Sequence, residues 1–181
     1  MKEKEVEVIK CFGCGALVDN IPGTPHKYIG ATQGCWNLFG QILVKEFGEY
    51  SYPQLTNRLT VDTYAIQHPG QPGRQANQSV NVHLISLYLI FIRGLSADVA
   101  TKKMEELISK IKKFDWLEPP VPNGYKTILD VLAAHNQEEH EKKVREWAED
   151  VWNCWYLKHG EKIRQMADNY LLKVKGKSGH S

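Results

Sequence analysis

Three cysteines in the first 35 residues carry the clearest chemistry in the chain. Cys11 and Cys14 form a C-x-x-C within C-F-G-C-G, and Cys35 follows in G-C-W. Two thiolates on one tight turn make the half-site that zinc commonly uses, because this ion takes four N or S donors at about tetrahedral angles. Gly13 and Gly15 allow the backbone to curl so that its amides support the sulfurs. The pattern predicts zinc as the cofactor, with Cys11, Cys14 and Cys35 as three of its ligands. For the fourth ligand, His26 is nearest in sequence, His68 lies in a Q-H-P-G turn that frees its ring from a helix, and Cys154 sits beside Trp155. His68 is the favoured choice and His26 the next. Two plainer readings compete: free cysteines packed as small hydrophobes, and a redox dithiol, which needs a βαβ unit that the sequence does not show.

Asp62, His83 and His140 form the candidate catalytic set. Each also has a quieter explanation. Arg58 precedes Asp62 by four residues and can pair with it on a helix surface. His83 lies among Val80, Leu84 and Leu87, where a buried imidazole needs a partner, and Ser79, one turn earlier on the same face, is a candidate. His140 continues the inward stripe of a long helix that also reaches His159. Taken together, inward carboxylate and imidazole groups on separate helices resemble the way bundles assemble metal or acid–base sites. Four protein ligands make a closed, structural metal site, whereas three leave a position where water can become a nucleophile. Two functions follow. One is a zinc-binding helical protein with a hydrolase-like pocket bordered by Asp62, His68, His83 and His140. The other is a non-enzymatic zinc-stabilised module that binds a small molecule or a protein.

The elements that must position these groups are mostly helical. Lys4 to Ile9 alternates as a short strand, and 13–34 reads as an ordered loop rich in Gly, Pro and Thr. A helix opens at Cys35 with Trp36, Leu38, Phe39, Ile42, Leu43 and Phe47 inward, and ends at Gly48. A second starts near Pro53, buries Leu55, Leu59, Ala65 and Ile66, and stops at Gln67, since the residue before a proline is pushed out of the α region. After a turn-rich linker, G-Q-P-G-R-Q-A-N-Q, a helix covers Ser79 to Arg93. Ser96 or Asp98 caps a fourth, Thr127 and Asp130 form a capping box for a short fifth, and a long sixth follows Asn136. The predicted fold is mainly α, an irregular bundle of about six helices with a zinc-knuckle-like N-terminal loop and at most a minor β element. One domain is expected over 1–173, divided into a Cys-rich loop (1–35) and a helical bundle (36–173), with a disordered tail at 174–181.

Bulk properties narrow the function. The chain has 181 residues and a formal charge of +2 with both signs interspersed, so it offers no field for nucleic acid or an anionic membrane. Its richest apolar run, Leu84 to Ile92, is interrupted by Ser86 and is far shorter than the roughly 18–20 residues that cross a bilayer. No secretory signal is recognisable in M-K-E-K-E-V-E-V-I-K, and a cytoplasmic location is expected.

Six segments together resemble an uncharacterised bacterial domain-of-unknown-function family: C-x-x-C-G at Cys11 to Gly15; H-x-Y…G-C-W at His26 to Trp36; L-T-V-D-x-Y-x-x-Q-H-P-G at Leu59 to Gly70; Q-S-V-x-V-H-L at Gln78 to Leu84; W-L-E-P-P at Trp116 to Pro120; and H…W-A…V-W…W at His140 to Trp155. The resemblance covers nearly the whole chain and implies no established activity. Members often carry a second histidine beside the position of His159. Here Lys158 and Gly160 flank it, which argues against a catalytic role for His159.

Overall fold

The protein is described from a computed structural model that covers residues 7–171, without the side chains of Tyr170 and Leu171. The predicted tail at 174–181 and the first residues of the predicted strand lie outside the described residues. Two strands, β1 (Val8–Lys10) and β2 (Leu17–Asp19), pair antiparallel with Ile9 opposite Val18. The C-x-x-C is thus the turn of a small hairpin, and β2 was not apparent in the loop-like composition around it. Helices α1 (Gln33–Val44), α2 (Gln54–Gln67), α3 (Arg74–Phe91), α4 (Ala97–Lys110), α5 (Ile128–Leu132) and α6 (Gln137–Leu171) follow. The mainly α fold is as the periodicity predicts.

Helices α2, α3 and α6 pack on one another; α4 lies on α3 and α2, α5 on α6 and α1, and β2 against α1. Their shared core contains Leu59, Ile66, Leu84, Leu87, Trp147, Val151 and Trp155. Burying an aliphatic side chain of this size contributes roughly 1.5–3 kcal/mol. The stripe on α6 is the reason its 35 residues remain helical: Val144, Trp147, Ala148, Val151, Trp155, Ile163 and Ala167 recur at three and four and are all buried. The capping box on α5 is present, with Thr127 accepting from Leu129 N and Asp130 accepting from Thr127 N.

Several boundaries and faces differ from the predicted ones. Helix α3 starts five residues early, at Arg74, so half of the presumed linker is helical. Asn77 accepts from Gly73 N at the helix start and donates to the Phe114 carbonyl, while Asn81 donates to Asp115 O. These tertiary bonds stabilise a first turn whose composition reads as linker. Leu55, expected inward, is 40% exposed in the first turn of α2, where Thr56 and Asn57 are the buried residues. Gly48 does not end the first helix, which continues from α1 as a π-helical segment, Lys45–Glu49, to Tyr50. The buried line there is Cys35, Phe39, Ile42, Glu46 and Tyr50, at spacings of four, three, four and four. Phe47 falls one residue past that line, is 59% exposed and stacks on Tyr52.

Glu46 is fully buried, and its carboxylate accepts from Asn57 Nδ2 (2.8 Å), Thr60 Oγ1 (2.6 Å) and His140 Nε2 (2.9 Å). The three bonds tie the π segment to α2 and α6. Removing the common acceptor leaves buried donors unpaired. Glu46→Ala is therefore expected to cost about 3–5 kcal/mol in urea unfolding, and Phe47→Ala less than about 1 kcal/mol. A larger loss for Phe47 than for Glu46 would contradict the assigned helix phase.

Candidate metal centre

The four ligand atoms come from three separate elements. Cys11 and Cys14 lie on the hairpin turn, where Cys11 N donates to Ala16 O (2.8 Å), Gly15 N to Cys11 O (3.0 Å), and Ala16 N to Cys14 Sγ (3.5 Å). Gly15 takes φ 75°, a conformation that a side chain would strain. Cys35 is in the first turn of α1, whose N-cap Thr32 accepts from the Cys35 amide (3.4 Å). His68 is the C-cap of α2, at φ −122° and ψ 55°. Pro69 denies it the α region, so its ring swings out of the helix toward the sulfurs.

All four ligand atoms lie within 4.8 Å of one another, and Cys11, Cys35 and His68 are buried while Cys14 is half-buried. Cys14 Sγ is 3.9 Å from Cys35 Sγ, and Cys35 Sγ is 3.4 Å from His68 Nε2. The imidazole is held from its other side. His68 Nδ1 donates to the Tyr64 carbonyl at 2.8 Å, and the Tyr64 ring stacks on it with centroids 4.0 Å apart. This bond directs Nε2 at the thiols, an arrangement typical of metal-binding histidines. Three soft sulfurs and one borderline nitrogen in a water-poor site form a donor set that could hold a metal ion.

Crowding makes the thiols compete for protons. Hydrogen bonds from Cys14 and Cys35 hold the Cys11 thiol far below its usual range, while contact with Cys11 and Cys14 pushes the Cys35 thiol far up. Burial raises the Tyr64 hydroxyl, and the nearby Cys35 adds to the effect. For His68, burial opposes protonation, but hydrogen bonds to Cys11 and Cys14 outweigh it and raise the imidazole to about 9. The thiols and the imidazole thus share protons that a bound metal ion would displace.

The end of α2 is fixed by polar side chains from elsewhere. Asn123 donates to the carbonyls of Ile66 and Gln67, two of the orphan acceptors at a helix C-terminus. Gln67 donates to Asn123 O and Lys126 O and accepts from Trp147 Nε1, and Trp155 Nε1 donates to Asn123 Oδ1. Two core tryptophans of α6 are thereby linked to the residue preceding His68. On the opposite side, Gly30 N donates to His68 O, and Ile29 bridges Pro69.

The remaining sequence candidates divide among separate places. His26 is exposed, with its ring against Tyr28, and Cys154 is half-buried on α6; neither belongs to the cluster. Asp62 and His83 are brought together, with His83 Nδ1 2.7 Å from Asp62 Oδ1. Arg58 also reaches Asp62, at 3.0 Å, as its spacing of four residues predicts. Asp62, rather than Ser79, is the partner of His83. His140 is not brought to them, since its ring is bound to Glu46. His159 donates from Nε2 to Glu118 O at 2.7 Å and so secures the W-L-E-P-P loop. Glu46 was missed by sequence reasoning, although a glutamate four residues after Ile42 on an inward line was the available signal.

The chain belongs to a family of unknown function, DUF5946, whose model matches residues 9–156. No curated protein and no solved structure matches it. The matched span contains all four cluster residues together with Glu46, Asp62, His83 and His140.

Gly13 is where the hairpin meets the end of α2. A Cβ there would lie 2.5 Å from His68 Cδ2, 2.8 Å from Gln67 O and 2.9 Å from Gly30 O, whereas one at Gly48 would meet nothing within 4 Å. Overpacking against backbone costs about 1–3 kcal/mol. Gly13→Ala is expected to lower the thermal midpoint by several degrees while Gly48→Ala leaves it nearly unchanged. Equal midpoints for the two variants would contradict the described approach.

Proposed function

We propose that the chain is a zinc-stabilised helical module in which Cys11, Cys14, Cys35 and His68 hold one zinc ion in a closed, structural site. The observation that carries this reading is the spacing of the donors. A tetrahedral zinc with Zn–S of about 2.3 Å and Zn–N of about 2.0–2.1 Å separates its sulfurs by roughly 3.8 Å and sulfur from nitrogen by roughly 3.6 Å. Cys14 and Cys35 are 3.9 Å apart, and Cys35 and His68 3.4 Å. Little movement is needed to accept the ion. A Cys3His set fills the tetrahedron and leaves no position for water, which favours the binding module over the hydrolase-like metalloenzyme. Asp62, His83 and His140 are absent from the donor cluster, in keeping with this.

The zinc would join three elements: the β1–β2 hairpin, the start of α1 and the end of α2. Thiolate ligation suits a reducing compartment, and a cytoplasmic location fits it. Among the described residues no helix is long and apolar enough to cross a membrane.

Metal analysis tests the proposal. Protein purified without added metal is expected to contain equimolar zinc, and Cys14→Ser and His68→Ala to lose most of it. Chelation should lower the thermal midpoint by about 6–12 °C, as expected for a loss of roughly 3 kcal/mol in a chain of this size. Acid should have the same effect, because zinc binds thiolates and neutral imidazole and protons compete for both. Zinc far below equimolar in the untreated protein, with no change in stability on chelation, would refute the proposal.

A further inference from the structure

We propose that Ser79, His83 and Asp62 form an acyl-transfer site for small uncharged esters, separate from the metal cluster and independent of its occupancy. Asp62 is fully buried and immobilised. One oxygen accepts from His83 Nδ1, while the other accepts from Arg58 Nε and from the Ser86 hydroxyl. A carboxylate fixed in this way orients the imidazole and keeps the proton on Nδ1, so the Nε2 lone pair is directed away from Asp62. Among the described residues Nε2 has no hydrogen-bond partner, and the His83 side chain is 20% exposed.

His83 lines a cavity of about 270 Å³ together with Ser79, Tyr28, Gln75, Gln78 and Ile108. Ser79 precedes His83 by four residues on α3, which puts the two side chains on one face with Cβ atoms about 5–6 Å apart. With the imidazole held by Asp62, the remaining separation is closed from the Ser79 side by rotation about its χ1, and catalytic contacts often tighten only with substrate present. The Ser79 hydroxyl, like Nε2, has no hydrogen-bond partner among the described residues. Carboxylate and imidazole are paired, and the Ser79 hydroxyl lines the same cavity as the imidazole, where substrate binding would complete the order that activates a serine.

The lining sets the substrate class. Apart from His83 no wall residue is ionisable near neutral pH, so a charged substrate finds no counter-ion. Val82 and Ile108 supply apolar surface for a short acyl chain, and Tyr28 and the amides of Gln75 and Gln78 supply donors for a carbonyl oxygen. The volume falls below the roughly 300–1,000 Å³ of sites for drug-sized ligands, which limits the substrate to a small ester. In the reaction Ser79 Oγ bonds to the carbonyl carbon while its proton passes to His83 Nε2. The ester C–O bond then breaks, and the leaving alkoxide takes that proton. Water, deprotonated by His83, attacks the acyl-serine, and Ser79 Oγ leaves and recovers the proton. The sum is ester plus water giving acid plus alcohol.

Hydrolysis of p-nitrophenyl acetate by the protein as purified, combined with peptide mapping after a fluorophosphonate probe, tests this. Ser79→Ala and His83→Gln are expected to lower kcat/KM at least about a hundredfold, the usual scale for loss of a nucleophile or base. Asp62→Asn, a positioning change, should lower kcat with KM nearly unchanged. The probe should map to Ser79 in the wild type and not in His83→Gln. Ser79 is half-buried and alanine is the better helix former, so Ser79→Ala keeps the fold. An unchanged rate in Ser79→Ala, or labelling at another residue, would overturn the proposal.

Discussion

Three sulfurs and one imidazole nitrogen share a volume so small that each lies within 4.8 Å of the others, and three chain segments must converge to allow it. Much of the N-terminal architecture depends on this convergence. The hairpin must present Cys11 and Cys14 on one turn, α1 must begin where Cys35 enters at its third position, and α2 must end so that His68 leaves the helix. Because a Cβ on Gly13 would overlap the His68 ring, the hairpin and the end of α2 can approach only through a glycine. Thiols and imidazole brought together in a dry site repel or compete for protons unless something compensates them, and a divalent cation does so most directly.

A second level of order comes from buried carboxylates. Glu46 and Asp62 each lie at the centre of a set of hydrogen bonds, the first joining the π segment to α2 and α6, the second joining α2 to α3. Buried charges of this kind are costly unless every oxygen is occupied, and here the partners occupy them. The two sets differ in outlook. The Glu46 set is enclosed, with His140 buried in it, and is best understood as architecture. The Asp62 set reaches the surface through His83, which lines a cavity together with Ser79. Asn123 and Gln67 link the tryptophans of α6 to the end of α2, so the position of His68 is coupled to the core as well as to the hairpin.

The parts legible in the sequence were those governed by local chemistry. The C-x-x-C turn, the helix stop imposed on His68 by Pro69, the capping box at Thr127 and the stripe of α6 all follow from residues within a turn or two of one another, and each is found. The parts that escaped depend on distant partners. Helix α3 begins early because Asn77 and Asn81 bond to carbonyls more than thirty residues away, which no window of composition reports. Asp62 and His83 are each recognisable as candidates, but their pairing depends on how α2 packs on α3. Phe47 misled because one-residue shifts in phase decide whether phenylalanine or glutamate faces inward, and the glutamate prevails only because Asn57, Thr60 and His140 meet it there.

In the proposed centre four donors surround one ion, and X-ray absorption at the zinc edge tests their identity most directly. Protein purified without added metal should give a first shell of three sulfurs at about 2.3 Å and one nitrogen at about 2.0–2.1 Å, with no water oxygen. In His68→Ala any retained zinc should exchange the nitrogen for a solvent oxygen. A wild-type shell with fewer than three sulfurs, or one unchanged by the loss of His68, would refute the Cys3His assignment.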